Sequence, residues 1–369
     1  MFDGAILTVN AGSSSLKLRL VGPADEIIAE RELAAPGARP DAHELREALD
    51  GRLGDAGAVA HRIVHGGERF QAATLIDTGV RGALAELTDL APLHQPKSLA
   101  ALDAVTERLP ALPAVACFDT AFHATLPPAA YTYALPAAWR ERWGVRRFGF
   151  HGLSHAWVAR RAAELTTGPG PGRIISCHLG AGASLCAIAA GRSVDTTMGF
   201  TPLEGLVMAT RSGSVDPGLL MWLLEREAVG ERAMAEALEH ESGLAGLAGT
   251  GDMAAVLDRA GAGDPAAGLA VDVYIHRLRA GIAGMAAALG GLDVLVFTGG
   301  VGEHAAEIRA RAVGGLVFLG AAVDLAANAA ARPGDDRDVS AAGATVRTLV
   351  VRAREDLEMA RQARAQLSR

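Results

Sequence analysis

Asn10, Ser13, Ser15 and Lys17 follow one apolar run, and in an extended chain alternation sets Ser13, Ser15 and Lys17 on one side. Hydroxyls with a point charge suit a phosphate, and Asn10 offers a neutral oxygen to a metal. A solvated lysine on an edge strand is the plain alternative. Lysine is scarce here, however: of 35 cationic residues only Lys17 and Lys97 are lysine. No GxxxxGK(S/T) occurs, so a phosphate site at this turn is not a P-loop. Three further charges close apolar runs: Arg62 before Gly66-Gly67, Asp119 before Thr120, and Arg211 among small residues. An Arg–Asp ion pair accounts for any two of them, and an anionic ligand for the cations. His151 and His155 are four apart, but Gly152 stands where a zinc protease places glutamate, and His151 better suits a donor to an anion. The glycine segment Thr298–His304 follows an apolar strand and is expected to open a helix that supports a nucleotide phosphate or ribose.

These residues need elements to hold them. Short apolar runs are expected as strands at Ala5–Val9, Leu16–Val21, Ala58–Val64, Ala114–Phe118, Ile174–His178, Ser184–Ala189, Asp293–Thr298 and Thr345–Val351. Helical patterns fall at His94–Arg108, Ser154–Thr166, Pro217–Arg226, Glu231–Glu241, Asp252–Ala260, Pro265–Leu289, Glu303–Val313 and Glu355–Gln366. Their alternation is that of an α/β protein. Ile6–Leu20 and Ile174–Ile188 repeat one pattern of apolar strand, glycine- and serine-containing turn, apolar strand, which implies a duplicated domain. Turns of Gly and Ser present backbone N–H groups with no bulky Cβ, as a phosphate chain requires.

The 369 residues carry a net charge of −7, which excludes a broad basic field for nucleic acid. The longest uncharged helical stretch, Ala280–Leu292, has 13 residues and falls short of a membrane span. Met1–Asn10 has an acidic residue where a secretion signal has basic ones, so a cytoplasmic protein is expected. Cys117, Cys177 and Cys186 show no CxxC spacing and read as reduced core thiols.

Six segments together resemble the acetate kinase family: NAGSSSLK at 10–17, HRIVHGG at 61–67, FDTAFH at 118–123, RFGFHG at 147–152, MGFTPLEG at 198–205 and TRSG at 210–213. The resemblance runs in the family's order over nearly the whole chain. It implies a duplicated two-domain fold like that of actin and hexokinase (ribonuclease H-like), with an interdomain cleft that takes ATP and Mg²⁺, or Mn²⁺. Residues 1–123 plus 356–369, with a returning C-terminal helix, would form the carboxylate and phosphate side. Residues 124–355 would bind nucleotide and form a homodimer. Asn10 and Glu355 would serve the metal, and Ser13, Ser15 and Lys17 the phosphates. Arg62 would bind the substrate carboxylate, with Val64, Leu93, Phe150 and Pro202 around its methyl group. Asp119, His151 and Arg211 would be catalytic. ATP would be held by His178, Leu179, Gly180, Ala181 and Gly182, by Asp252, Met253 and Ala254, and by Gly300, Val301, Gly302, Glu303 and His304.

The implied reaction is reversible transfer of the ATP γ-phosphoryl group to acetate, giving acetyl phosphate and ADP. The alternatives are a propionate or butyrate kinase, and an actin-like ATPase or nucleotide sensor. Ala181, Ala254 and His304 depart from the family's usual residues, as does Gln95, and the first three fall in nucleotide segments. Weaker ATP affinity or relaxed nucleotide choice is the expectation.

Overall fold

The computed structural model describes residues 2–12, 15–35, 41–92, 94–166, 172–226, 229–332 and 334–369. Twelve strands form two sheets of six: β1 Ile6–Ala11, β2 Ser15–Val21, β3 Ile27–Ala34, β4 Ala58–Ile63, β5 Thr74–Leu75 and β6 Ala114–Phe118, then β7 Arg173–Leu179, β8 Ala183–Ala189, β9 Arg192–Thr196, β10 Val294–Thr298, β11 Arg337–Asp338 and β12 Arg347–Val350. Their orders are β3-β2-β1-β4-β6-β5 and β9-β8-β7-β10-β12-β11. In each sheet the first three are antiparallel, the third, fourth and fifth parallel, and the last antiparallel. The sequence echo is therefore one of topology as well: β1–β2 and β7–β8 are equivalent hairpins of a duplicated α/β unit.

The chain divides into two compact units. The first comprises Met1–Ala124, Phe150–Trp157 and Arg354–Arg369, and the second Thr125–Gly149 and Val158–Ala353. A boundary at residue 124 would have assigned Phe150–Trp157 to the second; the local reason for the difference is that Gly152 N donates to Asp119 O at 2.8 Å and Leu153 joins the first unit's core.

In the first unit, pleating sends Leu7 and Val9 with Leu16, Leu18 and Leu20 to one face, where Ala101 and Val105 of the helix Gln95–Arg108 cover them. Ile6, Ala60, Val115 and Cys117 cluster with Leu357, Met359, Ala360 and Ala363 of the helix Glu355–Leu367. A sheet covered on both faces explains the unbroken apolar runs. In the second unit the helix Pro265–Leu289 packs along β8 and buries Val271, Tyr274, Ile275, Leu278 and Ile282. Among the described residues no helix is long and apolar enough to cross a membrane.

One expected element is different. The glycine segment after β10 does not precede a helix but is itself the helix Gly299–His304, and a second helix starts at Ala306. Ala305, at φ −94° and ψ 83°, breaks what the sequence reads as continuous from Glu303 to Val313.

His61 of β4 is 1% exposed, and neither ring nitrogen has a hydrogen-bond partner among the described residues. Burial holds its pKa down to about 4, with Asp103 opposing weakly. The unfolded chain takes up this proton near the ordinary histidine value, so stability is present at neutral pH and is lost as pH falls from about 6.5 toward 4. Comparing wild type with His61→Leu in urea, the stability gap should shift against the wild type by about 3 kcal/mol between pH 7.5 and pH 4. A gap that does not move with pH sinks this account.

Candidate active site

The described charges at strand ends in the first unit are joined by hydrogen bonds. Arg62 Nε donates to Asp119 Oδ1 and Oδ2 at 3.1 Å each, and Nη2 donates to Oδ2 at 2.6 Å. Arg62 Nη1 donates to Asn10 Oδ1 at 3.0 Å, and Asn10 Nδ2 donates to Glu355 Oε2 at 3.1 Å. Four segments meet here: the end of β1, the end of β4, the residue after β6 and the first turn of the helix Glu355–Leu367. β1, β4 and β6 are parallel, and the carboxyl ends of parallel strands are where open α/β sheets place ligands.

Burial opposes the charges of this group, and pairing restores them. Asp119 is 1% exposed; burial raises its pKa, Arg62 lowers it through charge and hydrogen bonds, and Glu355 raises it. Burial likewise works against the Arg62 cation, but Asp119 and Glu355 outweigh it and lift the arginine above its ordinary value. Arg62 therefore stays charged. A guanidinium has five N–H donors; Asp119 takes the Nε–Nη2 edge and Asn10 one Nη1 hydrogen, leaving one hydrogen on Nη1 and one on Nη2. Hydrogens of this kind are ones a carboxylate accepts.

Val64 follows β4 directly and is buried, as is Phe150, whose ring meets His65 edge-on at 5.5 Å. His123 Nε2 lies 2.9 Å from Phe150 O. His151 holds a left-handed backbone at φ 56°, uncommon for a residue with a Cβ, immediately before the helix Gly152–Leu165. Gly152 can be nothing larger, because a Cβ there would lie 2.2 Å from Asp119 O.

Among the described residues Lys17 and Ser15 stand apart from this hydrogen-bonded group. Ser15 Oγ donates to Glu32 Oε1 at 2.7 Å, and Lys17 Nζ, 53% exposed, lies 3.9 Å from the same oxygen. Ser13 and Leu93 lie outside the described residues.

The second unit gathers the nucleotide segments around one cavity of about 420 Å³. Gly180, Ala181, Asp252, Met253, Ala254, Gly300, Val301 and His304 line it, so the three family departures, Ala181, Ala254 and His304, share one wall system. His178, Leu179, Gly182, Gly302 and Glu303 are not in the lining. Leu179 is buried, Gly182 O accepts from Gly180 N, and Gly302 O accepts from Arg309. Glu303 Oε1 accepts from Gly299 N and Ala353 N, so this carboxylate holds backbone. Burial raises the pKa of Glu303 against those bonds.

Arg211 Nη1 donates to Pro202 O at 2.7 Å, and its Nε lies 3.6 Å from Glu239 Oε2. Burial lowers its pKa and Glu239 opposes. The segment carrying Pro202 is itself held by Glu204, which accepts from Tyr133 at 2.6 Å and from Arg147 at 2.8 Å.

Several of these residues escape sequence reasoning. Ala209, Leu244, Leu257, Tyr274 and Ala305 also line the cavity, but helical spacing marks Tyr274 as core and the others carry no chemical signal. Arg309, fully buried, donates to Gly302 O, Glu303 O, Asn328 Oδ1 and Asn328 O at 2.7–2.9 Å, and so fixes the end of the glycine helix.

The Acetokinase family model matches residues 41–361. An acetate kinase of Leifsonia xyli subsp. xyli is 46% identical over 389 residues, covering 97% of this chain and 98% of the relative. The crystal structure of Porphyromonas gingivalis acetate kinase superposes with a TM-score of 0.90 at 34% identity, covering 98% of this chain and 99% of that one. A propionate kinase from Francisella tularensis subsp. tularensis SCHU S4 gives 0.89 at 32% identity, with 97% and 98% covered. With a family model over most of its length and relatives this close across nearly all of it, the chain belongs to the acetokinase family.

Proposed function

We propose that this chain is an acetate kinase that transfers the γ-phosphoryl group of ATP reversibly to acetate, giving acetyl phosphate and ADP. The observation that carries the reading is Arg62: a largely buried cation clamped by Asp119, with two N–H groups left over among the described residues and the buried Val64 two positions along the chain. A charged fork beside apolar surface suits a short carboxylate with a small tail.

Such a substrate is already ionised at neutral pH, so no base is needed to make it a nucleophile. Asp119 then serves to hold Arg62 in orientation. The obstacle is the approach of one anion to another, and it is met by cations aimed at the transferring group. Arg62 holds the acceptor, and Arg211 and His151 stabilise the phosphoryl group. Asn10 and Glu355 supply the hard oxygen donors that Mg²⁺ or Mn²⁺ takes. Among the described residues there is no cluster of three His, Cys, Asp or Glu, and Mg²⁺ held through one or two carboxylates and substrate phosphates needs none. Bound there, the ion would neutralise phosphate charge. The cavity in the second unit would hold the nucleoside, and Ala181, Ala254 and His304 make it less selective for ATP. Lys17 and Ser15, on Glu32, are the residues with least support for a phosphate role.

Coupled assay of ADP formation with acetate, propionate and butyrate, each with ATP and GTP and alongside pyrophosphate, tests the reading. Acetate should give the highest kcat/KM. Preference for propionate, as in the Francisella neighbour's name, would move the assignment to that kinase, and acid-independent hydrolysis alone would reject both. Cys117, Cys177 and Cys186, buried as thiols and not joined in disulfides, fit a reducing cytoplasm. A homodimer is the proposed assembly, supported by Leu219, Met221 and Trp222, which leave an apolar face of the helix Pro217–Glu225 exposed. Sedimentation equilibrium should give a dimer for the wild type and a monomer for Trp222→Glu.

A further inference from the structure

Between Thr196, where β9 ends, and the helix Pro217–Glu225 the chain forms no helix or strand. Arg211 lies in this stretch, and so does Pro202, whose carbonyl receives the Arg211 Nη1 hydrogen. A segment without a ladder is placed by the groups its backbone bonds to. The orientation of the Arg211 guanidinium therefore depends on what fixes Pro202.

Glu204 closes the segment on itself. Its Oε1 accepts from Arg147 Nη2 at 2.8 Å, and its Oε2 accepts from the Tyr133 hydroxyl at 2.6 Å. Arg147 Nη1 also donates to Thr197 O at 3.1 Å and to Met198 O at 2.9 Å, while Phe200 N donates to Tyr133 Oη at 2.9 Å. Each partner of Glu204 thus grips an earlier part of the same segment, and Pro202 lies in sequence between Phe200 and Glu204. The fit is close: a Cβ on Gly199 would overlap both Glu204 Oε2 and Tyr133 Oη. Arg147 is 16% exposed, and its bonds to Glu204 join two ionised groups, the stronger kind. All of these residues belong to the second unit, and Tyr133, Arg147 and Glu204 are not in the lining of its cavity.

We propose that Glu204 is a positioning residue for the transfer step: with Tyr133 and Arg147 it fixes the Pro202 carbonyl, and through that carbonyl the Arg211 guanidinium. The proposal rests on the reading of Arg211 as a cation that stabilises the transferring phosphoryl group. Glu204 acts without touching substrate, so its loss bears on kcat and leaves nucleotide affinity alone.

A double-mutant cycle on kcat provides the test. At saturating acetate, Glu204→Ala should lower kcat about 10- to 100-fold, the scale on which small misplacements act, with the KM for ATP within about twofold. Tyr133→Phe removes one neutral donor and should lower kcat about three- to tenfold, which keeps the test available if Glu204→Ala fails to fold. Glu204→Gln, which keeps the shape and one acceptor oxygen, should recover part of the loss. In an Arg211→Ala background each of these changes should alter kcat by less than about twofold, because the group they position is gone. Equal losses in both backgrounds would show a general structural role and overturn the proposal, as would a rise in the KM for ATP with kcat unchanged. The NMR resonance of the Arg211 Nε–H group, identified by its loss in Arg211→Ala, gives a readout independent of rate. It should shift in ligand-free Tyr133→Phe, and an unmoved resonance overturns the proposal.

The same variants separate this from the underlying reading. If Arg211→Ala keeps its kcat, Arg211 does not serve the transfer and both ideas fail. If Arg211→Ala is slow while Glu204→Ala and Tyr133→Phe run at the wild-type rate, the role of Arg211 stands and only its positioning by Glu204 fails.

Discussion

Replacing Arg211 with alanine should lower kcat by about 10²–10⁴ while leaving the KM for ATP within about twofold. The expectation comes from where its cation is held. Pro202 O takes one Nη1 hydrogen, and Glu239, 3.6 Å from Nε, balances the charge without a close bidentate grip. The guanidinium is thus oriented by one carbonyl and one carboxylate. In the proposed role the cation meets the phosphoryl group most closely as its bond to ADP loosens and the acceptor approaches, so it contributes mainly to the transition state. Arg211→Lys should restore little, since a single ammonium cannot reproduce a planar fork anchored at one end on a carbonyl. A matching rise in the KM for ATP with kcat unchanged would place Arg211 in ground-state binding instead.

The second large effect is expected at Asp119, on stability and on catalysis at once. Asp119→Ala leaves the largely buried Arg62 cation with only Asn10 Oδ1 and the Glu355 charge against it, and removing one partner of a buried pair costs about 3–5 kcal/mol, here toward the lower end. Unfolding of the first unit, followed in urea, should register that loss. Asp119→Asn keeps the shape and removes the charge, and it separates two roles. As the clamp for Arg62, the asparagine variant should lose rate and acceptor affinity while the remaining activity keeps the wild-type pH profile. A proton-abstracting carboxylate would instead take the acid limb of that profile with it, and such a result would replace orientation with base catalysis.

The part of the fold that sequence revealed is its interior. Eight strands with continuous apolar runs were readable; the four that were not, Ile27–Ala34, Thr74–Leu75, Arg192–Thr196 and Arg337–Asp338, are the four edges of the two sheets. An edge strand buries little and is charged to discourage pairing, so it lacks the pattern by which strands are recognised. Ile27–Ala34, with Glu30, Arg31 and Glu32, is such a case. The site follows similar logic. Arg62, Asp119 and Asn10 announced themselves because polar groups at the ends of apolar strands are unusual. Tyr274 and Arg309 lie within helical patterns, where period alone assigns an aromatic to the core and a cation to solvent. Only the fold shows that Arg309 turns inward to carbonyls and that the Tyr274 hydroxyl meets none among the described residues.

The helix Glu355–Leu367 closes the first unit from the far end of the sequence. During synthesis, β1 to β6 leave the ribosome early, yet Ile6, Ala60, Val115 and Cys117 lack their cover until Leu357 and Met359 emerge, roughly 230 residues after Ala124. At translation speeds that interval is on the order of 10–50 s. The second unit, drawn from residues 125–149 and 158–353, has all its parts before then. Nascent chains of this protein thus complete their units in reverse order, with one apolar sheet face awaiting shelter throughout.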